Sequence, residues 1–284
     1  MTRPLDGIAL QTYFRRLNLQ KDAQDQLIAV RSSPPSRLPD SRAGNMPVWY
    51  PSKKMQCIMK AESAKVEFAF LLEAEHDDEV VEFWDQPPPI ELIYRDRRGH
   101  LQQPLHTADY FVFRYKSAGW EECKPVEKLI QFAQQHSRRY VLDEQGQWRC
   151  PPGEAFAERL GLTYRVRASD QINWAAQDNW LYLDDYYQDL EKLAISETEL
   201  STLYQIVDAH PGITLADLRE AASPIRSEQI NIAIARHALY ADLAAHRLTE
   251  PERTPIFRDH KAALTHHHRG QKLDDLGDGA SSCD

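Results

Sequence analysis

The sequence predicts a mixed α/β protein followed by a smaller helical unit. Helix-like apolar spacing begins near Ser63, and strand-like runs fill much of residues 80–124. Two helices, a strand and a further helix are predicted for residues 125–190, and helix-like segments recur after residue 195. The two element types are told apart by apolar periods near 3.6 and near 2.

The composition is that of a globular protein. The 284 residues are 42% hydrophobic and 27% charged, which excludes an intrinsically disordered chain. No apolar run reaches the roughly 18 residues of a membrane span, and no apolar signal-peptide segment stands at the N-terminus. We therefore expect a cytoplasmic protein that does not enter a membrane. The four cysteines stand far apart, which disfavours a zinc finger or a disulfide framework (Cys57, Cys123, Cys150 and Cys283).

Breaks in the pattern predict the domain organisation. Residues 1–44 read as a helical segment over 5–31 and a Pro/Ser-rich linker from Ser32. Residues 45–194 are predicted to form the α/β domain and residues 195–272 the helical one. The Asp-, Gly- and Ser-rich residues 273–284 are expected to be a disordered tail.

Within the α/β domain, each element follows from its own pattern. A helix opens at Ser63, a strand over residues 80–86 ends at Pro87, and residues 90–95 alternate before a turn. Residues 107–115 and 120–124 are predicted as paired strands, joined by a turn at 117–119. Pro125 opens a helix at its favoured first position.

The C-terminal unit shows three helix-like segments. They cover residues 200–207, 215–221 and 228–243, and Leu248 with residues 256–257 is a candidate small wing. Three helices of these lengths suit a winged helix-turn-helix.

The hairpin holds the candidate site. It brings Asp109 and Glu122 side by side, with Lys124 two residues further along the same strand face. Two carboxylates and a lysine are the groups that metal-dependent nucleases need. The carboxylates hold hard cations, and the lysine can position the attacking water or steady the phosphate.

The charge distribution is uneven. The net charge is −9, which is unusual for a DNA-binding protein. Residues 170–284 alone carry ten Lys or Arg and twenty Asp or Glu, a net −10. The remainder is near neutral. We expect the C-terminal part to meet mainly protein, and a partner to supply much of the DNA affinity.

Residues 63–124 resemble the TnsA endonuclease subunit of heteromeric cut-and-paste transposases. The motifs are a helix with a glutamate and a following Leu-Glu, a strand leading to Gln-Pro, an Ile-x-x-Tyr strand, a strand-start aspartate and Glu-x-Lys. They stand here as Glu67, Leu72-Glu73, Gln86-Pro87, Ile90 to Tyr94, Asp109 and Glu122 to Lys124. The proline that the family usually has before the aspartate is Ala108.

The resemblance implies a restriction-endonuclease-like PD-(D/E)xK core and a winged-helix-like C-terminal domain. It implies cleavage of the 5′ ends of a transposon by Mg²⁺-dependent hydrolysis, with Mn²⁺ as a substitute. The implied partners are the transposon-end DNA, a DDE-type transposase (TnsB-like) and an AAA+ regulator (TnsC-like).

The resemblance also implies residue roles. Glu67, Asp109 and Glu122 are the expected catalytic metal ligands, joined by the backbone carbonyl of Cys123, and Lys124 acts on the water. Gln86 is expected to order the site or contact DNA.

Several alternatives stay open. Glu62 competes with Glu67 as the helix ligand, and Cys123 fits a small core residue better than a nucleophile. Residues 266–268 are a His run that resembles a metal site, and the arginines at 138, 139, 165 and 167 suit either phosphate contact or a solvated face. A stand-alone restriction- or resolvase-like nuclease and a non-catalytic adaptor are the alternative functions.

Overall fold

The computed structural model describes residues 5–36, 46–96, 98–135 and 139–277. The chain divides into two compact units, residues 1–172 and 173–284. The sequence-based boundary was drawn at residue 194, so the division lies earlier in the chain. Most of the linker (residues 37–45) and the end of the tail (278–284) lie outside the described residues.

The first unit is a mixed α/β structure. Its helices are α1 (Gly7–Arg16), α2 (Lys21–Ser32), α3 (Val66–His76), α4 (Val126–Gln135) and α5 (Pro151–Glu158). Its strands are β1 (Val48–Ser52), β2 (Cys57–Ala61), β3 (Val80–Asp85), β4 (Ile90–Glu91), β5 (Tyr94–Arg95), β6 (Leu101–Gln102), β7 (Leu105–His106), β8 (Tyr110–Arg114), β9 (Ala118–Lys124), β10 (Val141–Leu142), β11 (Trp148–Arg149) and β12 (Thr163–Ala168). The predicted fold class is therefore confirmed at the level of a mixed α/β protein.

A mixed four-stranded sheet lies at its centre, in the order β12-β9-β8-β3. β12 runs parallel to β9, whereas β8 is antiparallel to both β9 and β3. The predicted hairpin is β8–β9, with Tyr110 opposite Glu121. The turn was expected at residues 117–119. It lies slightly earlier, because β9 already begins at Ala118.

The N-terminal helices belong to this unit. Leu10, Phe14 and Leu27 are buried in the same core as Phe111 and Trp120 of the sheet. The single helix-like stretch expected over 5–31 is interrupted between α1 and α2, because Asn18 adopts a left-handed φ of 52°. The separate N-terminal segment expected from the sequence is thus an integral layer of the α/β unit.

An ion pair ties this layer to the sheet. Arg31 of α2 donates from Nε to Glu82 Oε2 at 2.9 Å, and Glu82 is fully buried in β3. Trp84 and the backbone amide of Leu5 donate to the same carboxylate. Glu82 is therefore satisfied by groups from three chain segments, as a buried carboxylate requires.

Helix α5 packs closely against strand β12. A Cβ atom added to Gly153 would lie 2.8 Å from ring carbons of Tyr164. That distance is too short for any carbon contact, so only glycine fits this position. The close approach fixes the Tyr164 ring, whose hydroxyl reaches the candidate site.

The second unit is mainly helical. Its elements are α6 (Trp174–Tyr182), α7 (Asp184–Asp189), α8 (Glu197–Ala209), β13 (Ile213–Thr214), α9 (Leu215–Ala221), α10 (Ser227–Ala235), β14 (Pro255–Ile256) and α11 (His260–Gly277). Their apolar residues form a separate core around Leu203, Leu218 and Ile230.

Helices α6 and α7 join this second unit, although the sequence assigned them to the α/β domain. The Asn179 side chain of α6 donates to the carbonyls of Leu243 and His246 and accepts from the amide of Leu248. Leu183 and Tyr187 also pack into the second core. These contacts join residues about 65 positions apart in the sequence. Local periodicity cannot predict contacts at such separations.

Three other C-terminal expectations differ from the structure. The helix predicted over 228–243 ends at Ala235, because His237 adopts a left-handed φ of 56°. The expected strand at Ile256 exists but pairs with Ile213, whereas Leu248 is a buried loop residue. Helix α11 continues to Gly277, past the predicted tail start at Leu273. Among the described helices, none combines the length and the apolar character needed to cross a membrane.

Candidate active-site cleft

A cleft of about 350 Å³ opens where β8 begins and β9 ends. It is lined by Glu62, Ser63, Val66, Glu67, His106, Thr107, Asp109, Glu122, Cys123, Lys124, Pro125, Lys128, Phe132, Arg139 and Tyr140. The structure thus brings together Glu67, Asp109, Glu122 and Lys124, which stand in three separate sequence motifs.

Asp109 lies at the base of the cleft, directly before β8. Its Oδ2 accepts a 2.6 Å hydrogen bond from the backbone amide of Cys123 on β9. Burial raises the pKa of Asp109 to about 6, although the nearby Lys124 ammonium acts in the opposite direction. The nearby positive charge therefore does not fully compensate the cost of burying the ionised carboxylate. A bound cation would stabilise that ionised form.

Lys124 lies between the two strand carboxylates. Its Nζ is 2.5 Å from Glu122 Oε1 and 3.6 Å from Asp109 Oδ2. Burial alone would lower the pKa of Lys124, but Asp109 and Glu122 raise it well above its usual range. Lys124 is therefore a cation in this arrangement. It cannot accept a proton, but it can donate hydrogen bonds.

Glu122 is enclosed by four hydrogen-bond donors. Lys124 and the Tyr140 hydroxyl, the latter at 3.2 Å, contact Oε1. His106 Nε2 at 2.7 Å and the Tyr164 hydroxyl at 3.2 Å contact Oε2. Burial pushes the pKa of Glu122 upward, yet Lys124 and His106 together hold it well below its usual range.

Glu67 enters the cleft from the first turn of α3. Its Oε2 accepts a 2.7 Å hydrogen bond from the backbone amide of Glu62. Burial, followed by the proximity of Asp109, raises the pKa of Glu67 to about 8. The sequence predicted a helix start at Ser63, but Lys65 has a non-helical backbone and α3 begins at Val66. Glu62 also lines the cleft, so the choice between these two glutamates stays open.

Gln86 is near the site but does not line the cleft. Its backbone amide donates to the carbonyl of Asp109 at 2.9 Å, and its left-handed φ of 47° turns the chain after β3. The side chain is 3% exposed, and its Oε1 accepts no hydrogen bond within the described residues. These contacts suit ordering of the Asp109 backbone better than direct contact with DNA.

Cys123 and Glu121 are both buried on β9 and are not candidates for reacting groups. Burial raises the pKa of the Cys123 thiol well above its usual range, which argues against a nucleophile. Glu121 is 1% exposed and pairs with Arg114 at 2.6 Å. It is therefore a buried ion-pair residue.

The donor set fits Mg²⁺ only in part. Glu67 and Asp109 are neighbouring carboxylates whose pKa values are raised, mainly by burial, and a bound cation would lower both. Glu122 has both oxygens engaged. Within the described residues, no three His, Cys, Asp or Glu side chains form a ligand cluster. A site of two carboxylates suits Mg²⁺, which usually keeps several water ligands.

Four residues in or beside the cleft were not expected together from the sequence. His106 ends β7, Arg139 and Tyr140 follow α4, and Tyr164 lies on β12. Of these four, the sequence singled out only Arg139, as a residue that could contact phosphate. Arg139 donates to His106 Nδ1 at 3.0 Å, so one of its donors is already used inside the site.

The other sequence candidates lie elsewhere. His266, on α11, packs edge-to-face against Phe257 with ring centroids 5.5 Å apart, which gives that histidine a packing role. Arg167 pairs with Glu73, Arg165 is exposed on β12, and Arg138 lies outside the described residues.

Comparisons with known proteins give no family for this chain. No protein-family model matches it, and no curated protein matches it.

Proposed function

We propose that this protein is a metal-dependent DNA endonuclease of the TnsA type, with a restriction-endonuclease-like core. The proposal is carried by one observation: Glu67, Asp109 and Lys124 line a single cleft. The motif order of residues 63–124 adds the transposase subunit as the biological setting.

In this proposal Asp109 and Glu67 hold Mg²⁺, and Mn²⁺ substitutes. When bound, the cation stabilises charge on the scissile phosphate and makes water a better nucleophile. Lys124, kept cationic by its carboxylate neighbours, donates hydrogen bonds to the phosphate or to the attacking water. The Cys123 amide keeps Asp109 in place. Hydrolysis is direct and forms no covalent enzyme intermediate.

The partners are those that the resemblance to the TnsA family implies, and the charge distribution is compatible with them. Bringing DNA to the cleft requires attraction to phosphate, whereas residues 170–284 carry a net −10. We propose that the winged-helix-like C-terminal unit binds the AAA+ regulator and that the DDE-type transposase delivers the transposon ends. The protein then cuts the 5′ ends.

Reconstituted cleavage tests this proposal. The protein, the neighbouring transposase and the ATPase are incubated with Mg²⁺ and a plasmid carrying both element ends. We expect 5′-end breaks that need all three proteins. Cutting by this protein alone would favour the stand-alone nuclease, and partner binding without cutting would favour the adaptor.

A further inference from the structure

Glu122 has no free hydrogen-bonding capacity. A carboxylate offers about four lone-pair sites, and four side chains donate to this one: Lys124, Tyr140, His106 and Tyr164. The Glu122 side chain is fully buried. A metal ion could therefore bind Glu122 only by displacing a donor that already compensates its charge.

The neighbour of His106 fixes the proton position on its ring. Arg139 Nη2 lies 3.0 Å from His106 Nδ1, and a guanidinium can only donate. Nδ1 must therefore accept, and the ring proton sits on Nε2, 2.7 Å from Glu122 Oε2. Arg139, His106 and Glu122 thus form a chain of directed hydrogen bonds that ends on Oε2.

Lys124 completes the arrangement on the other oxygen. Its Nζ is 2.5 Å from Glu122 but 3.6 Å from Asp109. The stronger contact is with the enclosed carboxylate. Asp109 in turn accepts the Cys123 amide on Oδ2.

We propose that Glu122 is an anchor for Lys124 and not a metal ligand, and that His106 and Arg139 are positioning residues that hold this anchor. The inference rests on the proposed function, since it assigns roles within the same cleft. The candidate metal-binding carboxylates are then Asp109 and one of the two glutamates at or just before the start of α3, Glu67 or Glu62. The reaction then needs the Glu122 charge only to orient the Lys124 ammonium.

The first test needs no metal. Nitrogen-15 NMR of the metal-free protein at neutral pH should find His106 as the Nε2-protonated neutral tautomer. Arg139→Met should lose this fixed state, because Arg139 is the group that donates to Nδ1 in the part of the chain that the structure describes. An imidazolium or an Nδ1-protonated ring in the unaltered protein would overturn the inference.

The second test measures Mn²⁺ binding by calorimetry. The double variant Glu122→Gln/Lys124→Met removes one charge of each sign, so the net charge of the site is unchanged. Its matched control is Glu121→Gln/Arg114→Met, a largely buried ion pair between β9 and β8. We expect both to bind Mn²⁺ within about threefold of the unaltered protein, and Asp109→Asn to bind about tenfold or more weakly.

The outcomes distinguish the anchor role of Glu122 from the proposed nuclease function. Loss of Mn²⁺ binding in the Glu122 double variant but not in its control would overturn the anchor role alone. Absence of Mn²⁺ binding by the unaltered protein would overturn the proposed function and this inference with it. If circular dichroism finds the double variant unfolded, the His106 tautomer and its Arg139→Met dependence decide the inference.

Discussion

The backbone amide of Cys123 donates a 2.6 Å hydrogen bond to Oδ2 of Asp109. This bond joins the end of β9 to the start of β8, so the sheet itself orients the central carboxylate. Because the donor is backbone, no side-chain change at residue 123 removes it. The register Tyr110 opposite Glu121 is what brings the two groups together.

Gly153 should control the site from a distance. Gly153→Ala puts a methyl group against the Tyr164 ring and displaces the hydroxyl that reaches Glu122. We expect a loss of about 1–3 kcal/mol in the free energy of unfolding, as for overpacked cores. Gly7→Ala is the matched control, since Gly7 also lies in the first turn of a helix but has open space around it. Equal stabilities in urea unfolding would contradict the close-packing argument.

The metal-free protein should lose stability as the pH rises. Burial raises the pKa of Glu67 from 4.5 to about 8 and that of Asp109 from 3.8 to about 6. The folded state then binds more protons than the unfolded state between these values, so the free energy of unfolding falls across that window. Thermal unfolding with a chelator from pH 5 to 8 measures this slope.

Glu67→Gln provides the control for the pH effect. The amide has no proton to lose, so the decline between pH 5 and 8 should be smaller in this variant. Addition of Mg²⁺ at pH 8 should raise the melting temperature of the unaltered protein. A slope as steep in Glu67→Gln as in the unaltered protein would show that other groups cause it.

The pair between Arg31 and Glu82 should matter for stability. Arg31→Met leaves the fully buried Glu82 without its cation, which should cost about 3 kcal/mol of unfolding free energy. Arg149→Met breaks an exposed pair with Glu154 and should cost less than about 1 kcal/mol. Similar losses in denaturant unfolding would mean that α2 is not anchored through Glu82.

Lys128 should contribute to DNA binding. It is exposed and lines the cleft, where a phosphate backbone would pass under the proposed function. Lys128→Ala should weaken binding to duplex DNA and reduce the slope of log affinity against log salt by about 0.9. Lys21→Ala, which removes an exposed lysine paired with Asp25 on α2, should change neither. Unchanged binding by Lys128→Ala would move the DNA path away from α4.

The hairpin could be predicted because it depends on residues that are close together in the sequence. Strand alternation and a short turn are enough to set Asp109 beside Glu122, and helical spacing puts Glu67 on α3. The enclosure of Glu122 could not be predicted, since Tyr164 is 42 residues away in sequence. Such contacts depend on how β12 and the residues after α4 pack against the hairpin. The spacing of residues in the sequence does not predict this packing.

The same limit explains the domain boundary. Apolar periodicity identified the region of α6 and α7 as helical but not the core that they join. Buried polar contacts, such as those of Asn179 with Leu243 and Leu248, hold α6 in the second unit.

Cleavage by Asp109→Asn tests the central claim most directly. The amide oxygen can still accept from the Cys123 amide, so the fold should persist while the charge that holds the cation is lost. In the reconstituted reaction with Mg²⁺, the rate of 5′-end cleavage should fall about a hundredfold or more, with partner binding unchanged. Cleavage at the unaltered rate by folded Asp109→Asn protein would contradict the assignment of this cleft as the nuclease site.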